Sequence, residues 1–182
     1  MKKITFALFI YFSGTIVSCC SGEGTITYET VESARVLLFS FDENGIFPYL
    51  DEFNPSELGI SVSADSLTTR VEVASNFSTM DKAYACDDPN EVYYTNTIDS
   101  INIYTVYDYD QNHPAGSNIN DILLYLDGMG ETFAINVNQV SSISNYFKFS
   151  AAPQYDSLQF KISGRITEKE NFVKTTALIV LP

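Results

Sequence analysis

Between residues 158 and 166 the side chains alternate: Leu158, Phe160, Ile162 and Ile166 share one side, Gln159, Lys161, Ser163 and Arg165 the other. A period of two puts all the apolar groups on one face of an extended chain; on a helix the same residues would scatter round the axis. This stretch is therefore a strand with one wet face. "EKEN" (168–171) turns the chain, and "FVKTTALIVL" reads as a returning strand apolar on both faces, so the two make an antiparallel hairpin. Leu58, Ile60 and Val62 alternate with Gly59, Ser61 and Ser63, and "TRVEVAS" continues through Val71 and Val73. In "TIDSINIYTVYDYD", Ile101, Ile103, Thr105 and Tyr107 oppose Asn102, Tyr104, Val106 and Asp108. "ARVLLFSF" (34–41), apolar on both faces, predicts a buried strand.

Breakers separate these strands. "DENG" is a turn, "IFPYLDEFNP" a loop with two prolines, and "KAYACDDPNEVYYTN" a loop turning at Asp87-Asp88-Pro89-Asn90. "QNHPAGS" breaks at Pro114 and Gly116. "NINDILLYLDG" predicts a short helix, with Asn118 as its cap, Asp121 near its positive end and Gly128 just past its end. "VNQVSSISNYF" predicts a second. Short strands without a βαβ rhythm predict a mostly β fold. The expectation is an antiparallel β-sandwich carrying one or two short helices, with an immunoglobulin-like topology among the arrangements that fit. Residues 31–182 are expected to form a single domain.

The N-terminus carries a different kind of information. Lys2 and Lys3 precede "ITFALFIYF" and "SGTIV", which run into Ser18-Cys19-Cys20. A charged start, a short apolar core and small residues before a cut are the parts of an export signal. The apolar part falls short of the roughly 20 residues a spanning helix needs. Ile16-Val17-Ser18-Cys19 resembles the lipobox of bacterial lipoproteins. That resemblance implies a signal peptide over residues 1–18, diacylglycerol on the Cys19 sulfur, and an acylated new amine. Residues 19–30 then form the lipidated N-terminus and a short linker. Several acyl chains hold a protein stably on a bilayer where one does not. The expected address is the cell envelope, as an outer-membrane lipoprotein, with the membrane as a partner through the lipid.

The formal charge is −13, and removing the leader takes Lys2 and Lys3 with it. So acidic a chain is repelled by phosphate backbones, which argues against nucleic-acid binding. With Cys19 lipidated, Cys20 and Cys86 are left as a pair in an oxidising compartment. A Cys20–Cys86 disulfide is expected; two free thiols, or a buried Cys86, are the alternatives.

Few residues suggest reaction chemistry. Asp108, Asp110 and Asn112 have the spacing that opens a calcium loop, but His113 and Ile119 stand where an EF-hand needs Gly and Glu. His113 is the sole histidine, no G-x-S-x-G elbow accompanies it, and no spaced cysteine pair supplies a zinc site. The sequence thus predicts no catalytic set, no cofactor and a binding or structural module with an envelope protein or glycan as partner. The alternative is an envelope glycan-active enzyme using a carboxylate pair. Seven of the twelve tyrosines lie between Tyr84 and Tyr125, and Tyr104, Tyr107 and Tyr109 are candidates for a binding face. "DSL", "DSI" and "DSL", at Ser66, Ser100 and Ser157, resemble the acceptor motif of bacteroidete O-glycosylation.

Taken together, "SCC", "AYAC" and "DSINIYTVYDYDQNHPAGSNINDIL" resemble a group of bacteroidete cell-envelope lipoproteins with no assigned activity. The resemblance implies a strand leading through the "PAGS" turn into a short helix. Of the site residues it implies only Cys19.

Overall fold

A computed structural model describes residues 25–42, 45–48, 55–73, 90–127 and 130–181. The chain divides into two compact units. In the first, residues 25–29, 69–73 and 90–93 are described. They belong to strands β1 (Thr25–Asp42), β3 (Leu58–Val73) and β4 (Asn90–Tyr94). Tyr28 stacks on Tyr93 with ring centroids 5.9 Å apart, and Arg70 pairs with Glu72.

The second unit is mostly β and sandwich-like, as the alternation predicts. Its large sheet adds β2 (Gly45–Pro48), β8 (Ser144–Phe149), β6 (Leu123–Leu126) and β7 (Thr132–Ala134) in the order β2-β1-β3-β8-β6-β7. A smaller sheet has the order β11-β10-β5, from β5 (Ile98–Thr105), β10 (Phe160–Ile166) and β11 (Asn171–Thr175). Two short strands, β9 (Ser157–Leu158) and β12 (Ile179–Val180), pair with each other. All the pairings with a described register are antiparallel. The core draws on the predicted faces: Leu58, Ile60 and Val62 meet Ile101, Ile103, Phe160 and Ile162, with Phe147 and Phe149 from β8.

Both predicted helices are replaced by strands. Among the described residues helix occurs only as three single 3-10 turns. Asn120–Ile122 is one, and Asn118 Oδ1 accepts from the Asn120 N–H at 2.9 Å, but Leu123 is already extended at φ −101° and ψ 136°. Leu123–Leu126 then zips between two partners, with Leu124 facing both Lys148 and Ala134. The second stretch starts with a turn at Val137–Gln139, capped by Asn136, and then becomes β8 with Asn145, Phe147 and Phe149 buried in alternation. Tertiary pairing outweighs a weak local preference in each case.

The terminal hairpin forms, with Lys161 opposite Thr175, but its return strand is not apolar on both faces in situ. Phe172 packs on the core, whereas Val173 is 58 % exposed, and the chain leaves β11 to pair Ile179 with Leu158. In β1, Ala34 and Phe39 are buried but Leu37 is exposed, so that strand too has a wet side. Gly45, read as turn, and residues 46–48, read as loop, pair with β1, and residues 90–94, read as loop, form β4.

β5 is an edge strand, and its outer edge is closed by groups far along the chain. Ile98 exchanges backbone bonds with Ser142 at 2.9 and 3.3 Å. Asn120 supplies an amide: Oδ1 accepts from Ile103 N–H at 3.0 Å and Nδ2 donates to Ile101 C=O at 3.0 Å. Ile119 N–H reaches Ile103 C=O at 3.0 Å, and Thr105 N–H reaches Ser117 C=O at 3.0 Å. An open edge would be a template for unwanted pairing; this one has no vacancies at those positions.

Asn120→Ala leaves Ile103 N–H and Ile101 C=O without these partners, and is expected to cost about 2–4 kcal/mol in a denaturant titration. Gly59→Ala drives a methyl into the Phe39 ring and to 2.8 Å from the Phe147 carbonyl, and is expected to cost about 1–3 kcal/mol in the same assay.

Candidate functional site

After β5 the chain makes a tight excursion over residues 106–118, held by its own side chains. Asp108 Oδ1 accepts from Ala115 N–H at 2.7 Å. Asp110 Oδ1 accepts from Asn112 N–H at 2.7 Å and His113 N–H at 2.8 Å. Thr105 Oγ1 donates to Pro114 C=O at 2.8 Å. Gly116 completes the return at φ +84°, a backbone region that favours glycine. Tyr109 is the anchor. Its ring is fully buried, stacked on Phe149 at 5.2 Å, and its hydroxyl donates to Ala151 C=O at 2.5 Å. Burial, then the nearby Asp110 charge, push its phenol far above the ordinary value of 10.

The loop presents His113, which is 8 % exposed. Its Nδ1 lies 2.9 Å from both carboxylate oxygens of Asp110, and its Nε2 lies 3.2 Å from Asp121 Oδ2. Burial works against the imidazolium, but the bonds to Asp110 and Asp121 outweigh it, so His113 titrates above its ordinary 6.5. Burial works against the Asp110 charge as well; the His113 ring and the two backbone N–H groups overcome it and hold that carboxyl below 3.8. The ring is clamped between two carboxylates, an arrangement that favours its protonated form, in which both nitrogens donate.

Beside it runs a groove of about 750 Å³. One side carries Asn112, His113, Ser117 and Asn118; the other carries Leu124, Ala134, Ile135 and Asn136. Asp121 enters with 69 % of its side chain exposed, and one of its oxygens is on His113. Asn112, His113, Ser117, Asn118, Asn120, Asp121 and Asn136 outnumber its apolar lining residues, so the groove is more polar than the usual small-ligand cleft. A general base needs a lone pair within reach of its substrate, and His113 has both nitrogens engaged.

The residues singled out from sequence fare differently. Asp108 and Asp110 are spent on backbone N–H groups, while Asn112 turns into the groove. Among the described residues no group of three His, Cys, Asp or Glu side chains is placed to hold a metal ion. The three tyrosines do not share a surface: Tyr109 is core, Tyr104 is half-buried and Tyr107 is exposed. Ser66 is exposed, with Oγ 2.7 Å from Ser33 Oγ; Ser100 and Ser157 are half-buried, in β5 and β9. Cys19, Cys20 and Cys86 lie outside the described residues. Sequence reading missed Asp121 as a groove residue because it fell in a predicted helix, and Asn136 because it lay just before the second one, outside any predicted element. The one signal pointing to them is the run of asparagines in "SNIN" and "INVN".

Comparison with protein-family models, curated proteins and solved structures finds no match to this chain.

The clamp sets a pH signature. His113, raised in the folded state, stabilises fully below 6.5 and loses that contribution as pH climbs through its folded value. Asp110 is lowered, and so is Asp99, whose carboxylate is bound by the Arg165 guanidinium at 2.9 and 2.8 Å. These two stabilise above 3.8 and fade as pH falls through their folded values. Thermal unfolding of the full chain across this range should therefore show a maximum on the mildly acidic side. His113→Gln should flatten the alkaline limb and keep the Asp99 part of the acid limb. Parallel alkaline limbs in the two proteins would contradict the assignment.

Proposed function

We propose that this chain is a lipid-anchored cell-envelope protein whose β body binds its partner rather than transforming it, with the groove as its recognition surface. The anchor rests on the leader and the Ile16-Val17-Ser18-Cys19 motif, which resembles a lipobox. No helix among the described residues is long and apolar enough to cross a membrane. The acidic body repels anionic headgroups, so the lipid carries the attachment.

The observation that carries the binding reading is the state of the groove's polar groups. His113 is fully committed, whereas Asn112 and Asn136 keep side-chain groups without partners among the described residues. The competing reading is a glycan-active enzyme using a carboxylate pair. Such an enzyme needs two carboxyls facing across the scissile bond, one of them held protonated. Here His113 stands between Asp110 and Asp121, and Asp110 is held more acidic, not less. That arrangement favours binding.

Metabolic labelling with a palmitate analogue tests the anchor. Label is expected on the wild type and absent from Cys19→Ser, with the variant moving from the envelope pellet to the soluble fraction. A labelled or pelleting Cys19→Ser protein would overturn the anchor.

A further inference from the structure

We infer that the groove takes an uncharged glycan, read by its hydroxyl groups. The inference deepens the binding reading above and rests on it. It starts from which groups are left to do the reading. On one wall the main-chain donors are consumed: Asn112 and His113 on Asp110, Ala115 on Asp108, Gly116 on Thr105 C=O, Ser117 on Pro114 C=O, Ile119 on Ile103 C=O. On the other wall β7 is the end strand of its sheet, paired only with β6, and the turn after it is closed by Asn138 N–H on Asn136 Oδ1 and Gln139 N–H on Asn136 C=O. An extended peptide could pair with the outer edge of β7 alone, because the loop wall has few main-chain donors left. Across the loop wall recognition falls to side chains.

Those side chains match hydroxyls. The Asn112 amide, Asn136 Nδ2, Ser117 Oγ and Asp121 Oδ1 have no partners among the described residues and line the same groove. Amides and hydroxyls both donate and accept, as sugar hydroxyls do, and a carboxylate accepts from neighbouring diols. Leu124, Ala134 and Ile135 supply apolar contact for the C–H faces of a sugar ring. Charge selects within the class. Among the described residues no Lys or Arg lines the groove, the chain is at −13, and Asp121 lines it with most of its side chain exposed, so carboxylated or sulfated glycans are repelled. Cations are poorly served in turn. One oxygen of Asp121 is already engaged by His113 Nε2, which favours the protonated ring and so offsets the carboxylate's charge.

The test is native affinity electrophoresis of the full chain in detergent micelles. The gels contain laminarin, arabinoxylan, dextran or mannan, with polygalacturonate as the anionic control and a neutral extended peptide as competitor. At least one neutral polysaccharide is expected to retard the wild type and polygalacturonate is not. Asn112→Ala combined with Asn136→Asp keeps the Asn136 oxygen that caps the Val137–Gln139 turn and removes the two amide donors. That double variant is expected to lose affinity about tenfold or more, with an unchanged melting temperature. Retardation by none of the four, by polygalacturonate alone, equal retardation of the double variant, or displacement by the peptide would each overturn the inference. Cys19 labelling is read on the same preparations. Loss of retardation with the label intact removes the glycan alone; a missing label with retardation intact removes the anchor alone.

Discussion

A carboxamide side chain standing in for a strand closes the exposed edge of β5, and both the smaller sheet and the groove depend on it. Asn120 takes Ile103 N–H and gives to Ile101 C=O, each at 3.0 Å, which is the bonding a neighbouring strand would supply. Its Nδ2 also reaches Asn138 Oδ1 at 2.8 Å. One residue therefore fastens three things: the edge of the small sheet, the 3-10 turn at Asn120–Ile122, and the turn that begins at Asn136. The two walls of the groove are spaced by a hydrogen-bonded side chain rather than by loose packing. A site held this way is pre-organised, so little ordering entropy remains to be lost on binding.

The excursion after β5 works by the same economy. In sequence it looks like a loose acidic loop, yet both of its aspartates are turned onto backbone N–H groups of the same loop. Buried main-chain donors must find acceptors, and a short loop cannot offer enough carbonyls in the right places. Asp108 and Asp110 supply them. Tyr109 between them is driven into the core, so it cannot serve a surface. His113 completes the set, since an acid-rich turn without a cation would repel itself. Its position is fixed on one side by Asp110 in the loop and on the other by Asp121 in the turn at Asn120–Ile122.

Strand alternation made much of the fold legible, and its lapses are instructive. Phe160 and Ile162 were readable because every second residue faces one core. In β5 the phase is reset. Ile98 and Ile101 are three apart yet both buried, because Ser100, at φ 53°, is the extra residue of a bulge between Ser163 and Arg165 of β10. Gly164, opposite that bulge, lies under the Phe172 ring, which occupies the space a Cβ would need. Asp99 and Arg165 clamp the same point from the solvent side. None of this has a period to detect. The helices over 118–128 and 137–147 failed for a related reason: their local cues were real, but β3, β8 and β7 offered longer ladders. The groove was illegible for a third reason. Asn112, Asp121 and Asn136 have no shared motif, and only the turning of β6 against β7 brings them to one opening.

Asparagine recurs at these joints because of its geometry. Asn96 repeats the Asn120 device on β1: Oδ1 accepts from Val31 N–H at 2.7 Å and Nδ2 donates to Val31 C=O at 3.1 Å, just past the end of β4 at Tyr94. Aspartate offers no donor, so the carbonyl of Val31 or of Ile101 would lose its bond; glutamine adds a methylene and misplaces both ends. Asn145 shows the cost of the device. Fully buried on β8, it donates to Ile98 C=O at 3.4 Å and Ser142 C=O at 3.2 Å, which ties the large sheet to the start of β5. Its Oδ1 has no partner among the described residues. A buried acceptor left that way costs about 1–3 kcal/mol, and a leucine there would not incur it. What leucine could not do is meet two carbonyls at once, and the Ile98 carbonyl is the one that opens the edge Asn120 goes on to close.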